Sequence, residues 1–409
     1  MATTTVDLKK TNTGTTPGLV SLQFNIGYYQ IHPDISVNYQ MNRFSDGSEK
    51  MIQEMKEVTP RIHDYTDYIR EFLALSEKAH SRNRLLHAAL YLRSAEFYMF
   101  PNDERKDASR RCFVKWMKEY YEVPESKQFG VPYENTTMNA YRFQPESPVG
   151  TIVFFGGFDS YIEELFASQL YFFQNGFDVI TFEGPGQGMT LEESHLTMTH
   201  EWDKPCKAVL DYFKLEDVTL IGYSLGGCLA LRAAAYEPRI SRVVCDDILT
   251  DFQQTLFRQI DQVTQIALLT LLKLDDSIII NTLVHHKMKN SLVLEWGITQ
   301  GMHVTGTASP YDFFKNMASM ETPSISHLVK QDVLLFAGSE DHYVPLQQFY
   351  DQIQMLKNMH SLTARLFTEK EQAQNHVQVG NTELSLQTII GWIRSLQQRD
   401  KAYQHKSAH

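Results

Sequence analysis

The chain has 409 residues, of which 43% are hydrophobic and 21% charged, with a formal net charge of −11, a pI of about 5.8 and a mean hydropathy of −0.33. These values describe a globular protein, and an acidic chain without a basic cluster argues against binding to nucleic acid or to an anionic membrane. The length is too great for one ordinary core and predicts two structural units.

The sequence carries no evident targeting, membrane or metal signal. Residues 1–16 are polar and rich in threonine, without the apolar segment of a signal peptide. No apolar run approaches the ~18–20 residues that cross a bilayer. The four cysteines lack metal-ligand and redox spacing, and Cys228 and Cys245 are predicted to be buried free thiols. We therefore expect a cytoplasmic protein with no cofactor and no metal.

The first part of the chain is predicted to be helical. Residues 1–48 are expected to be irregular and to cover the surface or a cavity. From residue 49 to 121, apolar side chains such as Ile62 and Ile69 recur at helical spacing. We therefore predict an N-terminal segment and helical domain over residues 1–126.

Strand patterns begin near residue 127 and continue towards the end of the chain. Apolar and β-branched runs predict strands at residues 129–132, 138–143, 150–155, 179–182, 218–223, 242–245, 333–337 and 365–367. The first two form an expected hairpin around Glu134 and Asn135. Helical patterns separate most of the others, which is typical of an α/β protein with a mostly parallel, doubly wound sheet. We assign this second domain to residues 127–400.

Two further helical segments belong to the second domain. Residues 251–320 interrupt the strand–helix alternation between the sixth and seventh strands, and we predict that they form a helical lid. The chain ends with an amphipathic helix. The residues predicted to share its apolar face are Leu386, Ile389, Ile390, Ile393 and Leu396.

The most informative motif is Gly222-Tyr223-Ser224-Leu225-Gly226. It follows a β-branched apolar strand and precedes a helix rich in alanine and leucine. A Gly-x-Ser-x-Gly turn between a strand and a helix is typical of a nucleophile elbow, in which a strained backbone presents the serine hydroxyl. Ser224 is therefore the predicted nucleophile of an α/β-hydrolase fold.

A nucleophilic serine needs a base and an acid that orients the base. Asp341 is the predicted acid, because it follows the apolar strand of residues 333–337 and would lie at the same sheet edge as Ser224. Glu340, Asp246 and Asp247 remain as alternatives.

His376 is the predicted base, because it lies in a loop between the last strand and the C-terminal helix. The competing histidines are His285, His286, His303 and His342. His342 is adjacent to Asp341 in sequence and cannot easily hydrogen-bond across to it.

The predicted oxyanion hole has two backbone donors. One is the N–H of Leu225, at the start of the helix after Ser224. The other is the N–H of Phe158, which follows the paired glycines Gly156 and Gly157 at the end of a strand. These glycines let the chain turn sharply towards the pocket.

A second glycine-rich segment, residues 183–188, reads Glu-Gly-Pro-Gly-Gln-Gly. The spacing is not the Gly-x-Gly-x-x-Gly of dinucleotide-binding proteins. We interpret it as a turn at the sheet edge and predict no cofactor there.

The segments at residues 155–164, 182–188, 222–227 and 375–381, with the helix at 88–100, together resemble a known group of α/β-hydrolases. The group comprises acylaminoacyl-peptidase or dipeptidyl-aminopeptidase-like proteins, and it includes 2,6-dihydropseudooxynicotine hydrolase and the fermentation/respiration switch protein. The resemblance implies a helical domain that helps to close the pocket. It implies the roles given above for Ser224, Asp341 and His376. It also implies an acid after the oxyanion loop, where either Glu163 or Glu164 could correspond.

The leading hypothesis is a serine hydrolase that cleaves an ester, amide or related carbonyl bond of a small molecule or short peptide. One alternative is hydrolysis of a C–C bond, as in the pseudooxynicotine-type hydrolase. The other is a non-catalytic protein of the same fold that binds a partner. Only the general frequency of two-fold symmetric oligomers points to a homodimer.

Overall fold

The computed structural model describes residues 21–258, 260–289 and 291–407. Its α-helices are α1 Ile35–Arg43, α2 Glu49–Val58, α3 Tyr65–His80, α4 Leu85–Phe97, α5 Lys106–Tyr120, α6 Phe166–Gln174, α7 Gly188–Glu192, α8 Asp203–Phe213, α9 Leu225–Tyr236, α10 Phe252–Phe257, α11 Gln262–Lys273, α12 Ser277–Met288, α13 Leu292–Thr305, α14 Pro310–Met317, α15 Leu346–Met355 and α16 Thr382–Ser407. Its strands are β1 Gln128–Tyr133, β2 Thr136–Phe143, β3 Thr151–Phe155, β4 Asp178–Phe182, β5 Val218–Tyr223, β6 Ile240–Asp246, β7 Asp332–Gly338 and β8 Ser361–Phe367.

The strands form one sheet in the order β1-β2-β4-β3-β5-β6-β7-β8. β1 and β2 are antiparallel to each other, β2 is antiparallel to β4, and the remaining pairs are parallel. Alternate residues of the same strands enter two apolar clusters on opposite faces, as Leu220 and Ile221 do in β5. The predicted α/β architecture with a mostly parallel, doubly wound sheet is confirmed.

The helices α2–α5 precede the sheet, and α4 and α5 pack against it. All four helices share an apolar cluster that includes Met55 and Phe72. A second apolar cluster joins α4 and α5 to the sheet and to α6. It includes Phe113 of α5, Tyr141 of β2 and Phe166 of α6. The predicted domain boundary at residue 126 lies shortly after the end of α5. That the helices form a domain separate from the sheet stays a prediction.

The prediction of irregular structure for residues 1–48 is wrong at α1, and residues 1–20 lie outside the described part. The buried face of α1 carries Asn38 and Asn42, whose side chains accept hydrogen bonds from preceding backbone N–H groups at 2.7 and 2.8 Å. Because polar residues occupy the buried face of this helix, apolar spacing could not reveal it.

The insertion between β6 and β7 contains the helices α10–α14. Phe252, Phe257 and Phe314 belong to the same apolar cluster as the sheet residues of that face. The ring of Phe252 lies 5.2 Å from that of Phe158, in the loop after β3. The insertion therefore packs over the end of the sheet where β5 delivers Ser224.

The C-terminal helix α16 covers the opposite face of the sheet. The five apolar residues predicted to share its inner face are all buried, and they belong to the cluster that contains Ile152 and Phe336. The prediction of an amphipathic helix is confirmed. Among the described helices, none is both long and apolar enough to cross a bilayer.

Candidate active site

Ser224 lies at the turn between β5 and α9. Its backbone has φ 58° and ψ −123°, a strained conformation for a residue with a side chain. A Cβ on Gly222 would lie 1.9 Å from the carbonyl oxygen of Gly226, so glycine at 222 lets α9 approach β5. The N–H of Ser224 donates to the carbonyl oxygen of Asp246 at 2.6 Å, which ties the turn to β6.

Ser224, His376 and Asp341 form a continuous hydrogen-bonded chain. The Ser224 hydroxyl lies 2.7 Å from Nε2 of His376, and Nδ1 of His376 lies 2.6 Å from Oδ2 of Asp341. The other oxygen of Asp341 accepts the N–H groups of Tyr343 and Val344 at 2.7 and 2.9 Å. In the neutral imidazole, Nδ1–H then donates to the acid and Nε2 accepts the serine proton.

The electrostatics of the buried pair favour a charged acid and a basic imidazole. Burial alone would raise the pKa of Asp341, but the facing His376 and the two backbone N–H groups bring it below its usual value. Burial alone would lower the pKa of His376, but Asp341 first and then Asp247 raise it above its usual value. The imidazole is therefore a stronger base than a free histidine.

The alternative acids occupy other positions. Glu340 is exposed, and Asp246 is fully buried with no hydrogen-bond partner for either carboxylate oxygen among the described residues. Asp247 lies 3.7 Å from Nδ1 of His376, more than 1 Å farther than Asp341. Asp341 is thus the acid in direct contact with His376.

The competing histidines make other contacts. His303 pairs with Glu192 at 2.9 Å, and the ring of His342 lies 3.8 Å from that of Tyr343. Burial lowers the pKa of His342 to about 4, so this ring stays neutral at physiological pH. His285 and His286 are exposed in the last turn of α12.

The two segments that carry the predicted oxyanion donors, Leu225 and Phe158, meet at Ser224. A Cβ on Gly157 would lie 2.8 Å from the carbonyl oxygen of Tyr223 and 3.2 Å from the nitrogen of Leu225. The loop that carries Phe158 therefore packs directly on the elbow. Within the described residues, neither the Phe158 N–H nor the Leu225 N–H donates to a backbone carbonyl. Each can therefore donate to the oxygen of a bound substrate.

Gln187, in the glycine-rich turn after β4, braces this loop. Its side-chain nitrogen donates to the carbonyl oxygens of Gly156 and Gly157 at 2.7 and 2.9 Å. Its side-chain oxygen accepts the N–H of Gly184 at 3.0 Å. Residues 183–188 thus form a buried turn that supports the loop carrying Phe158, a role that the sequence analysis missed.

The two glutamates left open by the sequence lie in different surroundings. Glu164 lines the cavity described below and pairs with Arg43 and Arg93 at 2.9 and 2.7 Å. Glu163 is fully buried, and one of its oxygens accepts the hydroxyl of Tyr141 at 2.9 Å. Burial raises the pKa of Glu163. Only Glu164 faces the cavity.

The helix α1 contacts the loop that carries His376 and the loop that carries Phe158. The Tyr39 hydroxyl donates to the carbonyl oxygen of His376 at 3.2 Å, and its ring packs on Tyr343. Arg43 pairs with Asp159, next to Phe158, at 2.9 Å. The sequence analysis missed both residues, because α1 was predicted to be irregular.

A cavity of about 420 Å³ opens onto Ser224 and His376. The insertion between β6 and β7 supplies apolar lining residues, among them Leu256, Phe257, Leu268, Leu283, Val284 and Ile298. The lining near α1 mixes polar groups, such as Asn42, Arg43 and Asp159, with apolar ones. The part of the cavity lined by the insertion is therefore its apolar end, and charged and polar groups lie near α1.

Donor atoms of Asp247, Asp341 and His376 lie within 4.8 Å of one another, and no other described group of three such residues could hold a metal ion. Both nitrogens of His376 are already hydrogen-bonded to Asp341 and Ser224. These residues fit a proton-transfer site better than a metal centre, and the expected absence of a metal stays a prediction.

Comparisons with known proteins agree with this fold. A family model described as the alpha/beta hydrolase fold matches residues 150–287. Hydrolyase poxO of Penicillium oxalicum is 27% identical over 308 residues, which cover 67% of this chain and 71% of that protein. The 2,6-dihydropseudooxynicotine hydrolase of Paenarthrobacter nicotinovorans is 27% identical over 190 residues, covering 44% of this chain and 51% of that protein. The crystal structure of 2,6-dihydroxy-pseudo-oxynicotine hydrolase superimposes with a TM-score of 0.57 at 20% identity, over 83% of this chain and 90% of that one.

Proposed function

Because this chain is an α/β-hydrolase-fold protein related to known hydrolases, we propose that it is a serine hydrolase of ester, amide or related carbonyl bonds. Ser224 is the nucleophile, His376 the base and Asp341 the acid that orients the base. The observation that carries the proposal is the hydrogen-bonded chain of these three buried or partly buried side chains, at 2.7 and 2.6 Å.

The reaction starts when the Ser224 hydroxyl attacks the substrate carbonyl carbon and passes its proton to Nε2 of His376. The negative charge that develops on the carbonyl oxygen is received by the N–H groups of Leu225 and Phe158. His376 then gives its proton to the leaving group, and an acyl-enzyme remains. Water attacks the acyl carbon while His376 takes its proton. His376 then returns this proton to the Ser224 oxygen as the acyl–oxygen bond breaks, and the acid product leaves.

The shape of the cavity supports an amphiphilic substrate. Its volume of about 420 Å³ lies within the usual range for small-molecule sites, about 300–1,000 Å³. The apolar portion of the substrate would lie under the lid, and polar groups would face α1. Each methylene buried there contributes about 0.8 kcal/mol.

The test is hydrolysis of p-nitrophenyl acetate, hexanoate and decanoate, with Ser224→Ala as the blank. We expect kcat/KM to rise at least about tenfold from the acetate to the longer esters, because their chains enter the apolar end. Leu283→Trp, which fills that end, should remove the gain while the acetate rate stays unchanged. Leu271→Trp is the control, because Leu271 is a partly buried lid leucine outside the cavity lining. Equal rates for all three esters would contradict the assignment of the apolar end.

C–C bond hydrolysis is the second candidate reaction for the same residues. The relationship to 2,6-dihydropseudooxynicotine hydrolase supports it. A wild-type protein whose Ser224 reacts with an active-site probe, but which turns over no ester or amide, would favour this alternative.

A further inference from the structure

A second carboxylate lies beside the base. Asp247 follows β6 directly, and its Oδ2 lies 3.7 Å from Nδ1 of His376. Its side chain is only 1% exposed. The base is thus faced by two buried acids: Asp341, in hydrogen-bond contact, and Asp247, about one ångström beyond that contact.

Asp247 also holds the segment that carries the base. Its Oδ2 accepts the N–H of Val377 at 2.9 Å, and its Oδ1 accepts the side-chain nitrogen of Gln378 at 2.7 Å. These are the two residues directly after His376. Val377 and Gln378 both have positive φ, 51° and 46°, so the segment adopts a backbone that needs outside support.

We propose that Asp247 is a second acid for His376: it positions the base through the following two residues, and its negative charge stabilises the imidazolium formed when Ser224 gives up its proton. The inference rests on the proposed serine-hydrolase function. Opposite charges this close attract strongly away from water. Asp247 touches no reacting atom, so it is a positioning residue.

The charge on Asp247 changes near neutral pH. Burial, and then the charge of Asp341, raise the pKa of Asp247 to about 7, although His376 opposes the shift. Burial, and then the charge of Asp247, raise the pKa of the neighbouring Asp246 well above its usual value. The other titratable groups that face the base are Asp341, Asp159, Tyr39, Tyr343 and His342.

Ionisation of Asp247 is expected to raise the activity as the pH increases. As the pH rises through about 7, Asp247 loses its proton and its negative charge then favours the imidazolium of the transition state. Activity should therefore rise across this range, with an acid limb that belongs to the Asp247–His376 pair and not to His376 alone.

Asp247→Asn is a matched variant for the test. An asparagine oxygen can still accept the Val377 N–H. Its amide nitrogen can donate to Oε1 of Gln378, which is buried without a hydrogen-bond partner, once the Gln378 amide turns over. The substitution removes the charge and keeps the two supports. Asp246→Asn is the control, because Asp246 is the neighbouring buried acid and neither of its carboxylate oxygens has a hydrogen-bond partner among the described residues.

We expect Asp247→Asn to lower kcat about tenfold at pH 8, to leave KM unchanged and to move the acid limb of kcat/KM about one unit lower. Asp246→Asn should leave the limb in place. In an Asp341→Asn background, Asp247 is the remaining anion, so adding Asp247→Asn should cost at least a further tenfold. An unmoved limb in Asp247→Asn, or a double variant no slower than Asp341→Asn, would overturn the proposal.

A second readout does not depend on turnover. The pKa of the His376 imidazole can be followed by NMR in protein labelled at histidine Cε1. It should fall in Asp247→Asn and stay constant in Asp246→Asn. A fall in a protein that hydrolyses nothing would refute the proposed function and support the Asp247–His376 coupling, whereas a constant pKa would refute the coupling itself.

Discussion

Replacement of His376 by alanine is expected to lower kcat for ester hydrolysis by about 10⁵- to 10⁶-fold. The imidazole is the group that lies 2.7 Å from the Ser224 hydroxyl, and no other described histidine lies in hydrogen-bond contact with it. Without a base, the serine proton has no acceptor in the transition state. The rate is measured with p-nitrophenyl hexanoate under saturating conditions, and KM should change little.

His303→Ala is the control for this loss. His303 competes with His376 in the sequence, but its ring pairs with Glu192 in the structure and does not line the cavity. Its removal should leave kcat within about twofold, as is usual for positions away from the reacting atoms. Comparable losses in the two variants would place the base elsewhere.

The second large effect is on stability: Arg93→Met should lower the free energy of unfolding by about 3 kcal/mol. The Arg93 side chain is 2% exposed and donates to Glu96 and Glu164 at 2.6 and 2.7 Å. It also donates to the carbonyl oxygen of Asp159 at 2.6 Å. Methionine retains much of the volume but leaves these buried acceptors short of a donor.

Arg61→Met is the matched control. Arg61 pairs with Glu71, but its side chain is 56% exposed, and Glu71 keeps a second partner in Arg70. Urea unfolding followed by tryptophan fluorescence should show a clear shift of the midpoint for Arg93→Met and almost none for Arg61→Met. Equal midpoints for the two variants would mean that the buried contacts of Arg93 contribute no more to stability than the exposed pair of Arg61.

The elements that the sequence predicts well are those with a local signal. The elbow at Ser224 is visible because a strand, a glycine-flanked turn and a helix are contiguous. The apolar face of α16 follows from spacing within a single helix. Asp341 and His376 could be proposed because each follows a predicted strand, and the ends of parallel strands meet at one edge.

The features that the sequence did not reveal depend on contacts between distant segments. The Gln187 side chain donates to the carbonyl oxygens of Gly156 and Gly157, some 30 residues earlier in the chain. Tyr39 reaches the carbonyl oxygen of His376, 337 residues away. A polar residue inside a glycine-rich turn after a buried strand was a signal for Gln187, but its partner could be identified only in three dimensions.

Asp247 illustrates the same limit. Its place after β6 made it an alternative acid. In the structure it is Asp341, and not Asp247, that directly contacts His376. The order of the strands alone could not separate distances of 2.6 and 3.7 Å. The two acids need not exclude each other, because both face the same imidazole.

The most direct test of the central claim is labelling with a fluorophosphonate, followed by mapping of the adduct by mass spectrometry. We predict one adduct on Ser224 in the wild type, none in Ser224→Ala and greatly slowed labelling in His376→Ala, because only an activated serine attacks the probe at a useful rate. A folded wild-type protein without an adduct on Ser224, or equal labelling of Ser224→Ala, would contradict the serine-hydrolase account and favour a partner-binding role for this fold.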